Sequence, residues 1–199
     1  VRLFARLKQL FPKHLRSPDG WKSAPDLVSD YRLVTRPRHY PKRDQAGNDL
    51  VSYWKKNTDQ FDDTKIAVIK TLLHANNNEN PWDLASFQKR ATERILNCTK
   101  FNEENYKDRK ASGTVVCAGT GSGKTLAFYL PTLTRIASLI KEDSEGWVKA
   151  LAIYPRNELL KDQFTETLQQ TRRLRGFFGE QNIRPILIGT FFGPNPSTY

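Results

Sequence analysis

The sequence Ala118-Gly119-Thr120-Gly121-Ser122-Gly123-Lys124-Thr125 lies between a short apolar run and an amphipathic stretch. The run before it, residues 114–118, is rich in β-branched side chains and predicts a buried strand. Residues 124–140 carry leucines at helical spacing and predict a helix. Glycines let a backbone curl so that successive N–H groups face a phosphate, and a helix N-terminus adds positive charge. The stretch therefore predicts a phosphate-binding loop between a strand and a helix.

Each residue type in this loop has an expected role toward a nucleotide. Lys124 is expected to contact the β- and γ-phosphates as a point charge, and the Thr125 hydroxyl to bind Mg²⁺. The candidate catalytic residues are Lys124 and Thr125, and the candidate nucleotide-binding residues in the loop are Gly119, Thr120, Gly121, Ser122, Gly123, Lys124 and Thr125. The strict pattern has glycine first, where this chain has Ala118. The alternative is a glycine-rich turn that only caps a helix.

The residues around the loop predict an α/β fold. Strands are expected at 147–154 and from 186, with a helix over 157–175 between them. Strands that alternate with helices through short connections indicate a parallel sheet flanked by helices. Cys117, in the first strand, is expected to pack in the core. Before the loop, helices are predicted over residues 58–74 and 85–96, and a polar loop over 97–112.

Basic residues are concentrated near the N-terminus. The 199 residues contain 32 Lys and Arg and 21 Asp and Glu, and residues 1–56 alone hold 13 basic and five acidic side chains. Residues 1–11 have helical apolar spacing, and residues 12–56 are expected to be extended. We predict a basic N-terminal extension over 1–56, a helical lead-in over 57–81 and a nucleotide-binding domain over 82–199. The extension indicates a polyanionic partner such as a nucleic acid, or else a solvated face.

Composition excludes several classes of protein. No apolar run approaches the length of a membrane span, and no secretory signal is present, so we expect a cytoplasmic protein without a membrane partner. Two cysteines cannot form a disulfide framework. The chain begins with Val1 and contains no methionine, so we expect it to be a portion of a longer polypeptide.

The loop and the run that follows it, Leu126-Ala127-Phe128-Tyr129-Leu130-Pro131, resemble motif I of superfamily 2 helicases, the DEAD/DEAH-box group. The resemblance implies an incomplete RecA-like P-loop domain, with ATP and Mg²⁺ as cofactors. It also implies that the remainder of the same polypeptide contains a second RecA-like domain. A large bacterial anti-phage defence helicase, working with other defence-system subunits, or a DNA-repair relative is the narrower expectation.

A second stretch, Tyr154-Pro155-Arg156-Asn157-Glu158-Leu159-Leu160-Lys161-Asp162-Gln163, resembles motif Ia of the same family. Here Arg156 and Asn157 replace the usual Thr-Arg pair. The resemblance implies that Pro155, Arg156, Asn157 and Gln163 hold the backbone of single-stranded nucleic acid, with DNA expected in preference to RNA. The alternative is an ordinary strand–proline–helix junction in which Asn157 caps the helix.

A third stretch, Phe87-Gln88-Lys89-Arg90-Ala91, resembles the segment whose glutamine reads adenine in this superfamily. An amide can donate to one adenine nitrogen and accept from the amino group, which makes Gln88 a candidate nucleotide-binding residue. The DEAD-box form has an aromatic residue 17 positions upstream, where this chain has Thr71. The alternative is a solvated glutamine on a helix face.

Together these resemblances imply an ATP-dependent helicase or translocase. No Asp-Glu pair of the kind that completes the family's hydrolytic site follows Gln163, so we expect the whole protein, and not this chain alone, to hydrolyse ATP. Two alternatives stay open. One is another phosphate-loop enzyme, such as a transport ATPase or a nucleotide kinase. The other is a non-catalytic nucleic-acid-binding module with a relic nucleotide site.

Overall fold

The computed structural model describes residues 40–57, 59–74, 80–108, 110–119 and 121–191, without the side chain of Tyr106. In this part of the chain the α-helices are α1 (Gly47–Lys56), α2 (Asp63–Leu73), α3 (Ser86–Asn105), α4 (Lys124–Glu142), α5 (Asn157–Arg173) and α6 (Arg175–Glu180), and a 3₁₀ turn spans Tyr106–Asp108. The helix expected over 1–11, the basic stretch through residue 39, and Thr120 lie outside the described residues.

The prediction that residues 12–56 are extended is wrong for their last ten residues, which form α1. Leu50 and Trp54 lie one turn apart, so a helix buries both of them on one stripe. Trp54 is fully buried, and its indole N–H donates to Glu93 Oε1 at 2.9 Å. The helix is therefore part of the core and not of an extended segment.

The predicted loop over residues 97–112 is also wrong in its first half, because α3 continues to Asn105. The reason is a pair of hydrogen bonds made by one side chain in the last turn of the helix. Asn102 accepts the Ser112 backbone N–H at 2.6 Å and donates to the Ser112 carbonyl at 2.9 Å. Helix α4 agrees closely with its prediction, whereas the predicted helix 157–175 divides at Leu174 into α5 and α6.

The core lies where α4 packs on α3 and α2, with α1 and α6 added at the edges of α2. Contacts between residues 45–47 and residues 81–84 fix the start of this helix packing. Gln45 and Leu84 form an isolated antiparallel bridge, with N···O distances of 3.0 and 2.9 Å. Gly47 donates to Asp83 Oδ1 at 3.0 Å, and a Cβ on Gly47 would lie 2.6 Å from the Pro81 carbonyl oxygen. The lead-in is thereby held against the beginning of α3.

The structure does not confirm the predicted parallel sheet. Residues 113–118 lie between α3 and α4, residues 148–153 lie between α4 and α5, and residues 186–190 follow α6, but the described residues contain no strand ladder. None of the backbone N–H groups in these three segments has a hydrogen-bond partner among the described residues. Apolar β-branched sequence favours an extended backbone, but a sheet also needs neighbouring strands in register.

The segment before the loop has one partly buried face and one solvent-exposed face. From Ser112 to Gly119, alternate residues are partly buried and exposed, the period of two that a strand shows. Val115 is 88% exposed, and Cys117, which we expected in the core, is exposed as well. Side chains on the solvent-exposed face have nothing packed over them in the described part of the chain.

Helices long and apolar enough to cross a bilayer are absent from the described residues.

Candidate nucleotide-binding loop and strand-binding segment

The loop turns through two glycines in left-handed conformation. Gly121 has φ 75° and Gly123 has φ 86°, which glycine adopts without the strain that a Cβ would bring. Ser122 donates from its backbone N–H to the Gly119 carbonyl at 3.3 Å and from its hydroxyl to the same oxygen at 2.6 Å. The described part of the loop therefore turns tightly before it enters α4.

Lys124 is the first residue of α4, with Gly123 as its N-cap. Its ammonium donates to the Ala118 carbonyl at 2.8 Å, so it reaches back to the first residue of the loop. The unpaired N–H groups of a helix N-terminus carry partial positive charge. The lysine charge and this helix end therefore lie at the same place.

Gln88 braces the loop from the start of α3. It is 2% exposed, its Oε1 accepts the Ala85 backbone N–H at 2.8 Å, and its Nε2 donates to the Gly123 carbonyl at 2.9 Å. A Cβ on Gly123 would lie 2.7 Å from Gln88 Nε2. The alternative of a solvated glutamine is therefore wrong. Its predicted role toward adenine stays a prediction.

A cavity of about 400 Å³ adjoins the loop, between α4 and α5. Residues from both predicted sites line it, including Gln88, Gly123, Thr125 and Gln163. Polar, charged and apolar side chains all line it. The lining residues that the sequence did not identify include Arg43, Trp82, Tyr129, Asp162 and Glu166. The cavity therefore brings the glutamine of α3, the loop and α5 to one place.

The predicted strand-binding segment lies at the start of α5. Pro155, Arg156 and Asn157 are all exposed. Arg156 is the N-cap, without a side-chain capping bond, so the alternative in which Asn157 caps the helix is wrong. Exposed polar side chains at a helix N-terminus suit contacts to phosphate. Nothing in the local geometry opposes the predicted role of these residues.

Gln163 is separated from those three residues and lines the cavity instead. Its side-chain Oε1 is buried and has no hydrogen-bond partner among the described residues. A buried acceptor without a partner is costly, which makes it available to a donor that enters the cavity. The structure thus divides the predicted nucleic-acid residues into an exposed group and an enclosed one.

Two tyrosines join the helix of the loop to the second segment. The hydroxyl oxygens of Tyr129 and Tyr154 lie 3.0 Å apart, and Tyr129 also donates to the Gln163 carbonyl at 3.1 Å. Partial burial and the contact with Tyr129 raise the pKa of Tyr154 well above its usual 10. Sequence reasoning missed both residues. Tyr129 lies one turn before Leu133, so its spacing is that of a core position and gave no sign of the polar contact.

The residues present fit a phosphate group better than a metal held by protein alone. Groups of three or more His, Cys, Asp or Glu that could hold a metal ion are absent from the described residues. Thr125 supplies one hydroxyl at the cavity wall, next to Gly123. A Mg²⁺ ion often takes one protein hydroxyl and completes its shell with phosphate oxygens and water. Thr125 therefore fits Mg²⁺ that arrives with a nucleotide.

Comparisons with known proteins agree on one family. The family described as DEAD/DEAH box helicase matches residues 86–185, just over half of the 199 residues. Druantia protein DruE of Escherichia coli (strain UMEA 4076-1) is 33% identical over 88 residues, which are 42% of this chain and 4% of that protein. ATP-dependent RNA helicase ROK1 of the yeast Vanderwaltozyma polyspora is 38% identical over 60 residues, 30% of this chain and 10% of that protein.

The matched segment therefore spans a small part of each relative, and no solved structure matches the chain significantly. The family match begins at the first residue of α3, two positions before Gln88, and includes the loop, α4, α5 and α6. It thus contains each of the three motifs that the sequence singled out. The chain belongs to the DEAD/DEAH box helicase family.

Proposed function

We propose that this chain is the nucleotide-binding part of an ATP-dependent helicase or translocase that acts on single-stranded nucleic acid. The observation that carries the proposal is the turn through Gly121 and Gly123, which leads into Lys124 at the N-terminus of α4. Family membership supports the same function, because it extends over the whole of this region. The relative ROK1 is described as ATP-dependent, which agrees with a nucleotide at the loop.

In this proposal the loop amides and Lys124 hold the phosphates of ATP, and Thr125 holds Mg²⁺. When bound, the ion neutralises phosphate charge. Lys124 exchanges its contact with the Ala118 carbonyl for a phosphate oxygen. Gln88 has one Nε2 hydrogen and one Oε1 lone pair left after its two bonds to backbone, and these suit the edge of adenine.

Pro155, Arg156 and Asn157 hold the backbone of the strand in this proposal. Their exposure at the start of α5 supports contacts to phosphate, which position a strand without reading its sequence. DNA is our expectation from the sequence. RNA is the second candidate, because the relative ROK1 is described as an RNA helicase. Direct binding measurements distinguish DNA from RNA as the bound strand.

The proposal extends to the rest of the polypeptide. The aligned relatives are much longer than the segments they share with this chain, which supports a second RecA-like domain in the same polypeptide. Strands from such additional chain would also pair with residues 113–118, 148–153 and 186–190 and complete the predicted sheet. A cytoplasmic location and partner subunits from a phage-defence system stay predictions that follow from the sequence resemblance.

The experiment measures binding of labelled single-stranded DNA and RNA by fluorescence anisotropy, in parallel with binding of ATP and Mg²⁺. We expect both ligands to bind, and Arg156→Ala to weaken strand binding and to reduce the salt slope by about 0.7 for the lost phosphate contact. Lys110→Ala is the control, since Lys110 is an exposed cation paired with Asp108 at 3.7 Å and belongs to neither segment.

The alternatives predict different results. A non-catalytic module would bind the strand but not ATP, and Lys124→Ala would leave its affinity unchanged. Another phosphate-loop ATPase or kinase would bind ATP but neither nucleic acid. Equal weakening by Arg156→Ala and Lys110→Ala would contradict the strand-binding segment, because it would show diffuse attraction to a basic surface.

A further inference from the structure

We propose that Tyr129 is a positioning residue that couples the nucleotide loop to the strand-binding segment, through hydrogen bonds to Tyr154 and to the Gln163 backbone. This inference rests on the proposed function, since it requires both ligands. Tyr129 lies within the motif I run and the family match, but the resemblance implied no role for it. Its hydroxyl is engaged by Tyr154 and by the Gln163 carbonyl, so its proposed role is to hold one site in a fixed relation to the other.

The direction of the hydrogen bonds follows from the number of protons. Tyr129 has one hydroxyl proton and two neighbouring oxygens, at 3.0 Å on Tyr154 and at 3.1 Å on the Gln163 carbonyl. A carbonyl can only accept, so the Tyr129 proton goes to Gln163. Tyr154 must therefore donate to Tyr129. The three groups form a continuous chain from Tyr154 through Tyr129 to α5.

Both ends of this hydrogen-bonded series are residues whose displacement would affect a predicted binding site. Tyr154 immediately precedes Pro155 and the exposed residues of the strand-binding segment. Gln163 lies on α5, and its side chain lines the cavity next to the loop. Tyr129 itself is 8% exposed and lies in α4, five positions after Lys124. A shift of the loop that moves α4 is therefore transmitted to both ends of the segment.

The packing around α4 indicates that the contact between Tyr129 and Tyr154 helps to link α4 to α5. Helix α4 packs most extensively on α3 and α2, whereas a cavity of about 400 Å³ lies between it and α5. Contact between α4 and α5 is thus interrupted where the tyrosines bridge it. A tyrosine hydroxyl is protonated at neutral pH, and burial raises the pKa of Tyr154 further, so Tyr154 can donate to Tyr129.

Coupling between two sites is a measurable free energy, and it is reciprocal. The experiment uses the whole 199-residue chain and measures the Kd for a labelled single-stranded oligonucleotide, with and without Mg²⁺ and a non-hydrolysable ATP analogue. The ratio of the two values is the coupling factor. We expect a factor of about five or more for the wild-type chain, within the usual range for coupled sites.

The variants separate coupling from folding. Tyr129→Phe keeps the ring and removes both hydrogen bonds, so we expect a factor near one, with each ligand bound alone within about twofold of the wild-type affinity. Tyr154→Phe removes one bond and keeps the contact with Gln163, so we expect an intermediate factor. Tyr53→Phe is the control, because Tyr53 is 53% exposed and the Lys89 ammonium contacts its ring, a contact that the substitution keeps.

Each outcome decides something. A wild-type chain that binds neither ligand overturns the proposed function and this inference with it. A chain that binds both, with the same factor in the wild-type and Tyr129→Phe proteins or with no coupling in either, overturns this inference alone. If Tyr129→Phe weakens both ligands and lowers the unfolding midpoint while the factor stays unchanged, the tyrosine is structural and the inference is wrong.

Discussion

Gly123 satisfies two demands at one residue. Its φ of 86° lies in the left-handed region, and its hydrogen atoms face the Gln88 amide, where a methyl carbon would come within 2.7 Å of Nε2. Its carbonyl also accepts from that amide at 2.9 Å. The residue therefore shapes the loop and ties it to α3 at the same time. No other residue type combines this backbone angle with this proximity.

Gly123→Ala is accordingly expected to lower the free energy of unfolding by about 1–2 kcal/mol from the backbone angle alone. It is also expected to weaken ATP binding, because the Gln88 brace must shift. Chemical denaturation and a nucleotide titration measure the two effects. Gly146→Ala is the control, since a Cβ there has no atom within 4 Å. Equal stability of the two variants would contradict the strained turn.

The residue scale also shows what local sequence can and cannot predict. The loop was predictable because glycine, lysine and threonine act there through spacing within eight residues. The Gln88 brace joins residues 35 positions apart, and the tyrosine contact joins residues 25 positions apart. Tertiary packing alone brings such pairs together, so local sequence could not predict either contact.

Among the elements, α2 begins with a side-chain cap. Asp62 accepts the Lys65 backbone N–H at 2.9 Å, and its other carboxylate oxygen lies 2.9 Å from the Lys65 ammonium. Partial burial opposes ionisation, but the bonds from Lys65 outweigh it and hold the pKa of Asp62 below its usual 3.8. The lowered pKa means that the folded chain favours the ionised carboxylate.

Asp62→Ala is expected to lower the free energy of unfolding by about 1 kcal/mol at neutral pH. The contribution of Asp62 is present above pH 3.8 and is lost as the pH falls through the lowered value of the folded state. The wild-type and variant stabilities should therefore converge in acid. Denaturation curves between pH 7 and pH 2.5 measure this, with Asp59→Ala, at an exposed position outside α2, as the control.

A stability difference between the wild-type and Asp62→Ala proteins that stayed constant down to pH 2.5 would show that Asp62 acts through something other than its charge.

The first helix shows why an element can be missed when only the sequence is known. Helix α1 was missed because Pro, Gly and charged residues surround it, and its amphipathic stripe is only ten residues long. Its burial depends on Glu93 and on the bridge between Gln45 and Leu84, which are remote in sequence.

At the scale of the whole molecule, the described residues contain the helices predicted around the loop, but they do not confirm the predicted sheet. Large apolar side chains of the three segments predicted as strands are exposed to solvent: Val115, Val148, Leu151, Ile153 and Leu187 are each at least 77% exposed. Parallel sheets in α/β proteins are normally covered on both faces. The sequence predicted strands in these three segments, and the described residues show no strand there. Pairing joins segments that are remote in sequence, so local patterning alone could not predict it.

Hydrogen exchange tests this arrangement. Amides of residues 113–118, 148–153 and 186–190 have no hydrogen-bond partner among the described residues, so we expect them to exchange rapidly. Amides in the centre of α4 are the internal control, since they are bonded within a buried helix. Protection of the three segments equal to that of α4 would show that the sheet forms in solution and would contradict the exposed arrangement.

The central claim is that residues 118–125 bind the triphosphate of ATP, and isothermal titration calorimetry with ATP and with AMP tests it most directly. In the presence of Mg²⁺ the account predicts that ATP binds at least about tenfold more tightly than AMP, a difference of about 1.4 kcal/mol. Lys124→Ala should remove most of that difference, and Lys110→Ala should leave it intact. Equal affinity for ATP and AMP in the wild-type chain, or an unchanged preference in Lys124→Ala, would contradict the claim.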